Sequence, residues 1–156
     1  MKTSNKPQHT MPRNYCFGCG ASNAKGMHLK FRVDGHTDGA EAIVRGAFRV
    51  PSQFQGSRKV LHGGIVALLL DEAMGKFNKL DSIVAPTAEL SVEYLRPVPV
   101  GRKILVEAKR VRTEGRNYWR ECVIQDDEGK LLARGKGRFV KIADSPTPAA
   151  KNGGRQ

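Results

Sequence analysis

One stretch constrains this chain more than any other. It is VLHGGIVALLLDEAMG, residues 60–75, where an apolar run from Ile65 to Leu70 lies between His62-Gly63-Gly64 and Asp71-Glu72. Its length of about fourteen residues and its lack of internal proline predict a helix rather than a strand. The middle has almost no polar face, as expected of a helix enclosed by other structure rather than one lying on a surface. The rest of the chain must therefore supply a wrapper.

Periodicity shows where the wrapper comes from. HLKFRVDG (28–35) alternates through Leu29, Phe31 and Val33, and AEAIVRGAFRV (40–50) follows a turn at His36 to Gly39, so the two predict a hairpin. After the helix come TAELSVEYLRPV (87–98), RKILVEAKRVRT (102–113), NYWRECVIQDDE (117–128) and KLLARGKGRFVKI (130–142). Turn signals at Pro97 to Gly101, Glu114-Gly115 and Asp127 to Gly129 separate these strands and predict an antiparallel meander. Along 87–95, Ala88, Leu90, Val92 and Tyr94 alternate with Thr87, Glu89, Ser91 and Glu93, which predicts one apolar face. The economical fold is α+β, an antiparallel sheet wrapped around one long central helix.

A length of 156 residues with 39% apolar content suits one domain. Its expected bounds are 15–142, with polar, flexible tails at 1–14 and 143–156. No apolar segment follows Lys2, no run is long enough to span a bilayer, and the cysteines number three. Together these predict a cytoplasmic chain with reduced thiols and no membrane insertion. A net charge of +12 suits nucleic acid, an anionic membrane surface or a small polyphosphorylated ligand. No helix-turn-helix, zinc-finger or RNP signature accompanies the charge, which counts against nucleic acid. Cys16, Cys19, His28 and His36 form C-x2-C-x8-H-x7-H, which departs from common finger spacing, and the βαβ setting of a redox pair is missing. No metal and no cofactor are expected. Trp119, alone in a strand, is expected in the core or an interface.

The two ends of the helix carry the chemistry. Gly63-Gly64 is unusual at a helix start, because glycine is a poor helix former. Either the helix start packs tightly against another backbone, or its bare amides face an incoming oxygen and hold an oxyanion. Asp71 closes the apolar run, so its carboxylate either pairs structurally or activates water or attacks a carbonyl itself. His62 and Asp71 are nine positions apart. At about 100° and 1.5 Å per residue they point to nearly opposite sides, about 13 Å apart along the axis. If both serve one reaction, the site combines the helix start of one subunit with the carboxylate of another, which predicts an obligate dimer with two equivalent sites.

The order of hairpin, HGG, six apolar residues, DEAMG, then PTAELSVEYLRPV and three more strands resembles the hot-dog-fold acyl-CoA thioesterases of the phenylacetyl-CoA (PaaI-like) type, over about residues 15–142. The resemblance implies subunits that join their sheets edge to edge, as a homodimer or a homotetramer, with sites at the interface. It implies Asp71 as general base or nucleophile on the thioester. The Gly63 amide would polarise the carbonyl, with His62 and Gly64 beside it on the substrate. Thr87 matches a hydroxyl position that orients water or the carboxylate. Some relatives carry Asn where this chain has Gly56, so either the neighbouring Gln55 replaces it or that role is absent. The basic strands gain a partner in the phosphates of coenzyme A, with Arg96 and Arg116 as the favoured contacts. CFGCG followed by GMHLKF matches a Cys-rich turn in relatives and implies a structural lead-in. The activity implied is hydrolysis of an acyl-CoA to free acid and coenzyme A without metal. The alternative is a non-catalytic hot-dog module that binds acyl-CoA or nucleic acid through its basic face. A hot-dog dehydratase is a third reading, weakened because its usual His and acid pairing at helix spacing is lacking.

Overall fold

The stretch at 60–75 is helical over Gly63–Gly75 (α1), and His62 is its N-cap. The ring Nδ1 of His62 accepts the Gly64 amide at 2.9 Å, satisfying one of the amides that a helix start leaves without an internal partner. The computed structural model describes residues 13–35 and 42–145. Leu69, Leu70, Ala73 and Met74 of α1 are fully buried, while Ile65 and Leu68 remain half-buried. The sheet therefore covers one side of the helix, and the enclosure expected from its apolar middle is partial within one chain. A short helix, α2 (Phe77–Leu80), follows with Phe77 buried.

The strands are β1 (Arg32–Asp34), β2 (Ile43–Arg49), β3 (Ile83–Val84), β4 (Thr87–Tyr94), β5 (Lys103–Glu114), β6 (Asn117–Asp126), β7 (Leu131–Val140) and β8 (Ala143–Asp144). Six of them form one antiparallel sheet in the order β1-β2-β5-β6-β7-β4, and β3 pairs with β8. α1 packs across this sheet. At β7 it approaches closely, because a Cβ on Gly135 would lie 3.2 Å from Leu70 Cδ1.

Five details differ from the sequence reading. The meander holds for β5, β6 and β7 only, because β4 pairs with β7 at the far edge and β2 takes the free side of β5. The segment after β4 does not close a hairpin. It carries Pro97 and Pro99 and is tied sideways: the Val98 carbonyl accepts from the Leu61 amide at 2.8 Å, and the Gly101 amide donates to the Val50 carbonyl at 2.7 Å. β1 begins only at Arg32, since His28 has φ 51°, which breaks an extended run. Ala143–Asp144, assigned to the C-terminal tail, are the strand β8. Asn14, assigned to the N-terminal tail, is tied to the turn behind it, its carbonyl accepting from the Ser22 amide at 2.9 Å. The β1–β2 hairpin is borne out by its antiparallel register, Arg32 opposite Arg45. Its turn, and the tail residues 1–12 and 146–156, lie outside the described residues.

Beyond the apolar core, one cation among the described residues is buried, Arg120, only 1% exposed. Its Nη1 donates to the Met74 carbonyl at 2.8 Å and to Asn78 Oδ1 at 2.7 Å, and its Nη2 to Asp81 Oδ2 at 3.2 Å. Arg110 also pairs with Asp81. The guanidinium stands over the Phe139 ring at 4.5 Å. Burial lowers its pKa to about 10, so it stays charged at neutral pH and complements the negative end of the α1 dipole. Across the sheet, four strand cations sit in register with acids: Arg45 bonds Glu107, Lys109 pairs Glu121, Arg134 pairs Glu93 and Arg138 pairs Glu89. These four residues are thus part of cross-strand ion pairs.

Candidate active site

Asp71 emerges from the third turn of α1, half-buried, and meets the first residue of β4. Thr87 Oγ1 donates to Asp71 Oδ1 at 2.7 Å. Thr87 is held there by its neighbours: the Ala85 carbonyl accepts from Asn78 Nδ2 at 2.6 Å and the Pro86 carbonyl from the Val140 amide at 3.1 Å. Asn78 is in turn held by Arg120. Burial raises the pKa of the Asp71 carboxyl, the Thr87 hydrogen bond opposes the rise, and the Glu72 charge adds to it. The result is an oriented carboxylate with raised proton affinity, suited to base or nucleophile chemistry. It opens on a cleft of 300 Å³ also lined by Thr87, Cys19, Glu72, Lys76 and Phe139.

At the other end of α1 the Gly64 amide is directed at His62 Nδ1, while the Gly63 amide, first in the helix, has no acceptor within it. Gly64 therefore serves the cap, and the Gly63 amide is left without an acceptor in the helix. Tyr94, the last residue of β4, donates its hydroxyl to the Gly63 carbonyl at 2.9 Å. The alternation along 87–95 assigns Tyr94 to an apolar face, yet it is 55% exposed and its role is polar. A tyrosine closing an apolar row was the available signal, because its ring is apolar and its tip is not.

β4 thus touches both ends of the helix, at Thr87 with Asp71 and at Tyr94 with Gly63. Within one chain the two ends stay apart, as the helical spacing required. β4 is also an edge strand. Only Val92 along it is half-buried and the other seven residues are exposed, so its predicted apolar face is largely uncovered within one chain.

The remaining residues singled out in the sequence are dispersed. Gln55 turns inward on its loop, its Oε1 accepting from the Lys59 amide at 3.3 Å, and a Cβ on Gly56 would lie 3.1 Å from His62 Cα. Arg96 lies near the Gly63 end and bonds the Leu131 carbonyl at 2.7 Å. It shares a 600 Å³ cleft with Arg102 and Lys130 but also with Asp126, Asp127 and Glu128, a mixed surface for a phosphate. Arg116, exposed in the β5–β6 turn, lies near the Asp71 end, where its carbonyl accepts from the Lys141 amide at 2.8 Å. Trp119 is half-buried under the Arg112 guanidinium at 4.0 Å and lies outside the core cluster. Cys16 and Cys19 do not cluster with His28, and His36 lies outside the described residues. The cysteine donors converge with Glu72 of α1, which the sequence did not suggest.

Residues 58–133 match the family model of the thioesterase superfamily. An acyl-coenzyme A thioesterase, THEM4 from Rattus norvegicus, is 30% identical over 104 residues, covering 66% of this chain and 45% of the relative. The chain thus spans about half the length of the curated relatives it matches. A crystal structure of a thioesterase superfamily protein superposes with TM-score 0.62 at 31% identity, covering 70% of this chain and 55% of that one. The PaaI protein of E. coli, from the phenylacetic acid degradation operon, superposes with TM-score 0.60 at 20% identity, covering 67% and 74%. The fold is the hot-dog fold that the sequence resemblance implied.

Proposed function

We propose, for a chain that belongs to the thioesterase superfamily, that it hydrolyses acyl-CoA thioesters at sites shared between two subunits. The observation that carries this reading is the double attachment of β4, through Thr87 to Asp71 and through Tyr94 to Gly63. β4 is an open edge eight residues long. Such an edge invites a second strand. If two copies pair antiparallel about a two-fold axis, the start of one β4 lies beside the end of the other. Asp71 of one subunit then faces the Gly63 amide of its partner across the strand pair.

In that site the carbonyl oxygen of the thioester binds at the Gly63 amide, where the helix dipole favours developing negative charge. Asp71, oriented by Thr87, takes the proton of a water that attacks the carbonyl carbon. Alternatively it attacks that carbon itself, giving a mixed anhydride that water opens. On either route the C–S bond breaks, the sulfur leaves as coenzyme A thiol and the acyl group leaves as the free acid. The binding-module alternative draws no support from Arg45, Lys109, Arg134 and Arg138, whose charges are paired with acids in register.

A thiol-release assay across short, long, branched and aromatic acyl-CoAs tests the reading. Wild type is expected to release thiol from at least one of them, and Asp71→Ala to lose at least about 100-fold in kcat. Release from none by wild type ends the enzyme reading. Full activity in Asp71→Ala ends the mechanism.

A further inference from the structure

On the border of the cleft onto which Asp71 opens, one cluster among the described residues brings metal-ligating atoms together. The turn of residues 16–20 is closed by the Gly20 amide on the Cys16 carbonyl at 2.8 Å and stitched behind by the Met27 amide on the Phe17 carbonyl and the Leu29 amide on the Gly18 carbonyl, each 2.8 Å. It lies flat on α1 at Glu72, and the close approach depends on glycine, because a Cβ on Gly18 would sit 2.5 Å from Glu72 Cδ. Cys16 Sγ, Cys19 Sγ and a Glu72 carboxylate oxygen lie within 4.8 Å of one another. Cys16 is exposed and Cys19 half-buried, so the cluster is open to solvent on one side.

From this geometry we infer that Cys16, Cys19 and Glu72 form a binding site for a thiophilic divalent cation of the zinc class, with Lys76 as its countercharge. A tetrahedral zinc ion spaces two thiolates about 3.8 Å apart and a thiolate and carboxylate oxygen about 3.6 Å apart. Cys16 Sγ stands 3.1 Å from Glu72 Oε1, so an ion entering where the thiol proton now sits parts them by about half an ångström. The other carboxylate oxygen, Oε2, is already held by Lys76 Nζ at 3.0 Å, which leaves Oε1 to ligate. Two thiolates and a carboxylate around a divalent ion leave one negative charge, and the Lys76 ammonium offsets it. Three protein ligands leave a fourth position for water. Binding replaces both thiol protons and releases them to solvent. The C-x2-C pair is visible in the sequence, but its third ligand is a carboxylate far along the chain, on α1. This inference stands on the cluster's geometry and does not depend on the thioesterase reading.

The test is a titration of the reduced, metal-stripped full chain with Co²⁺ under exclusion of air. One equivalent is expected to bind, with thiolate-to-metal charge-transfer absorption and release of about two protons, and Zn²⁺ is expected to displace it. The band should vanish in a Cys16→Ser, Cys19→Ser double variant. Glu72→Gln, which keeps the side chain's shape, should weaken binding at least about tenfold, since even outer partners of a metal site are worth about that much. Thermal unfolding with Zn²⁺ and with chelator gives a second readout, in which wild type is stabilised and the double variant is not. No charge-transfer band in wild type overturns the inference. So does a band that survives the double substitution, or an affinity unchanged by Glu72→Gln.

Discussion

Thr87 and Asp71 meet through a single hydrogen bond of 2.7 Å, and the hydroxyl is the donor. A hydrogen bond to a charged group contributes about 1.5–3 kcal/mol. Thr87→Val keeps the shape and removes the hydroxyl, so kcat should fall about 10–100-fold with KM nearly unchanged, while Thr87→Ser should retain most activity. Steady-state kinetics on the best acyl-CoA checks this, and a valine variant with normal kcat would show that the carboxylate does not need the hydroxyl. Asp71 was legible in the sequence because a carboxylate ending an apolar run has few reasons to be there. Thr87 came into view only through the family resemblance, and Tyr94 and Glu72 did not stand out at all. Their partners, Gly63 and Cys16, lie 31 and 56 residues away, and no local pattern encodes a contact at that range.

At the scale of elements, Arg120 holds the last turn of α1 in place against α2 and the strand that leads to Thr87. Removing one partner of a buried ionic network leaves the others uncompensated, at a cost of about 3–5 kcal/mol. Arg120→Leu should therefore lower the unfolding free energy by about 3 kcal/mol, the lower end because Arg110 still pairs with Asp81. Urea denaturation measures it, and a loss below about 1 kcal/mol would show that the network contributes little. The helix and the six principal strands were legible from periodicity, with ends shifted by a few residues. The place of β4 was not. Two prolines after it looked like a hairpin turn, whereas the segment bonds to residues 50 and 59–61 and carries the chain across the sheet.

For the whole molecule, the proposed sharing of the site between subunits would make activity a property of pairs. Gly63→Pro removes the amide proposed to hold the oxyanion, at a position where proline suits a helix start. The extended backbone of His62, φ −59° and ψ 136°, is compatible with a following proline. Alone, this variant should lose about 10²–10³ in kcat while staying folded. Mixing equal amounts of Gly63→Pro and Asp71→Ala under subunit exchange should restore activity, because half of the dimers are then mixed and each mixed dimer has one intact site of two. The expected recovery is about a quarter of wild type. No recovery, with exchange verified by mass, would place both functions in one subunit.

The sequence by itself determined the central helix, its polar ends and the strand content, because each is written in periodicity and spacing over a few turns of chain. It also required that His62 and Asp71 not meet, since helical geometry alone forbids it. Only the tertiary structure decided which edge of the sheet stays open, that one strand ties Asp71 and Gly63 at its two ends, and that a carboxylate of α1 completes the cysteine pair. Those outcomes depend on strand order and on contacts between residues distant in the chain, which packing selects and local sequence does not record.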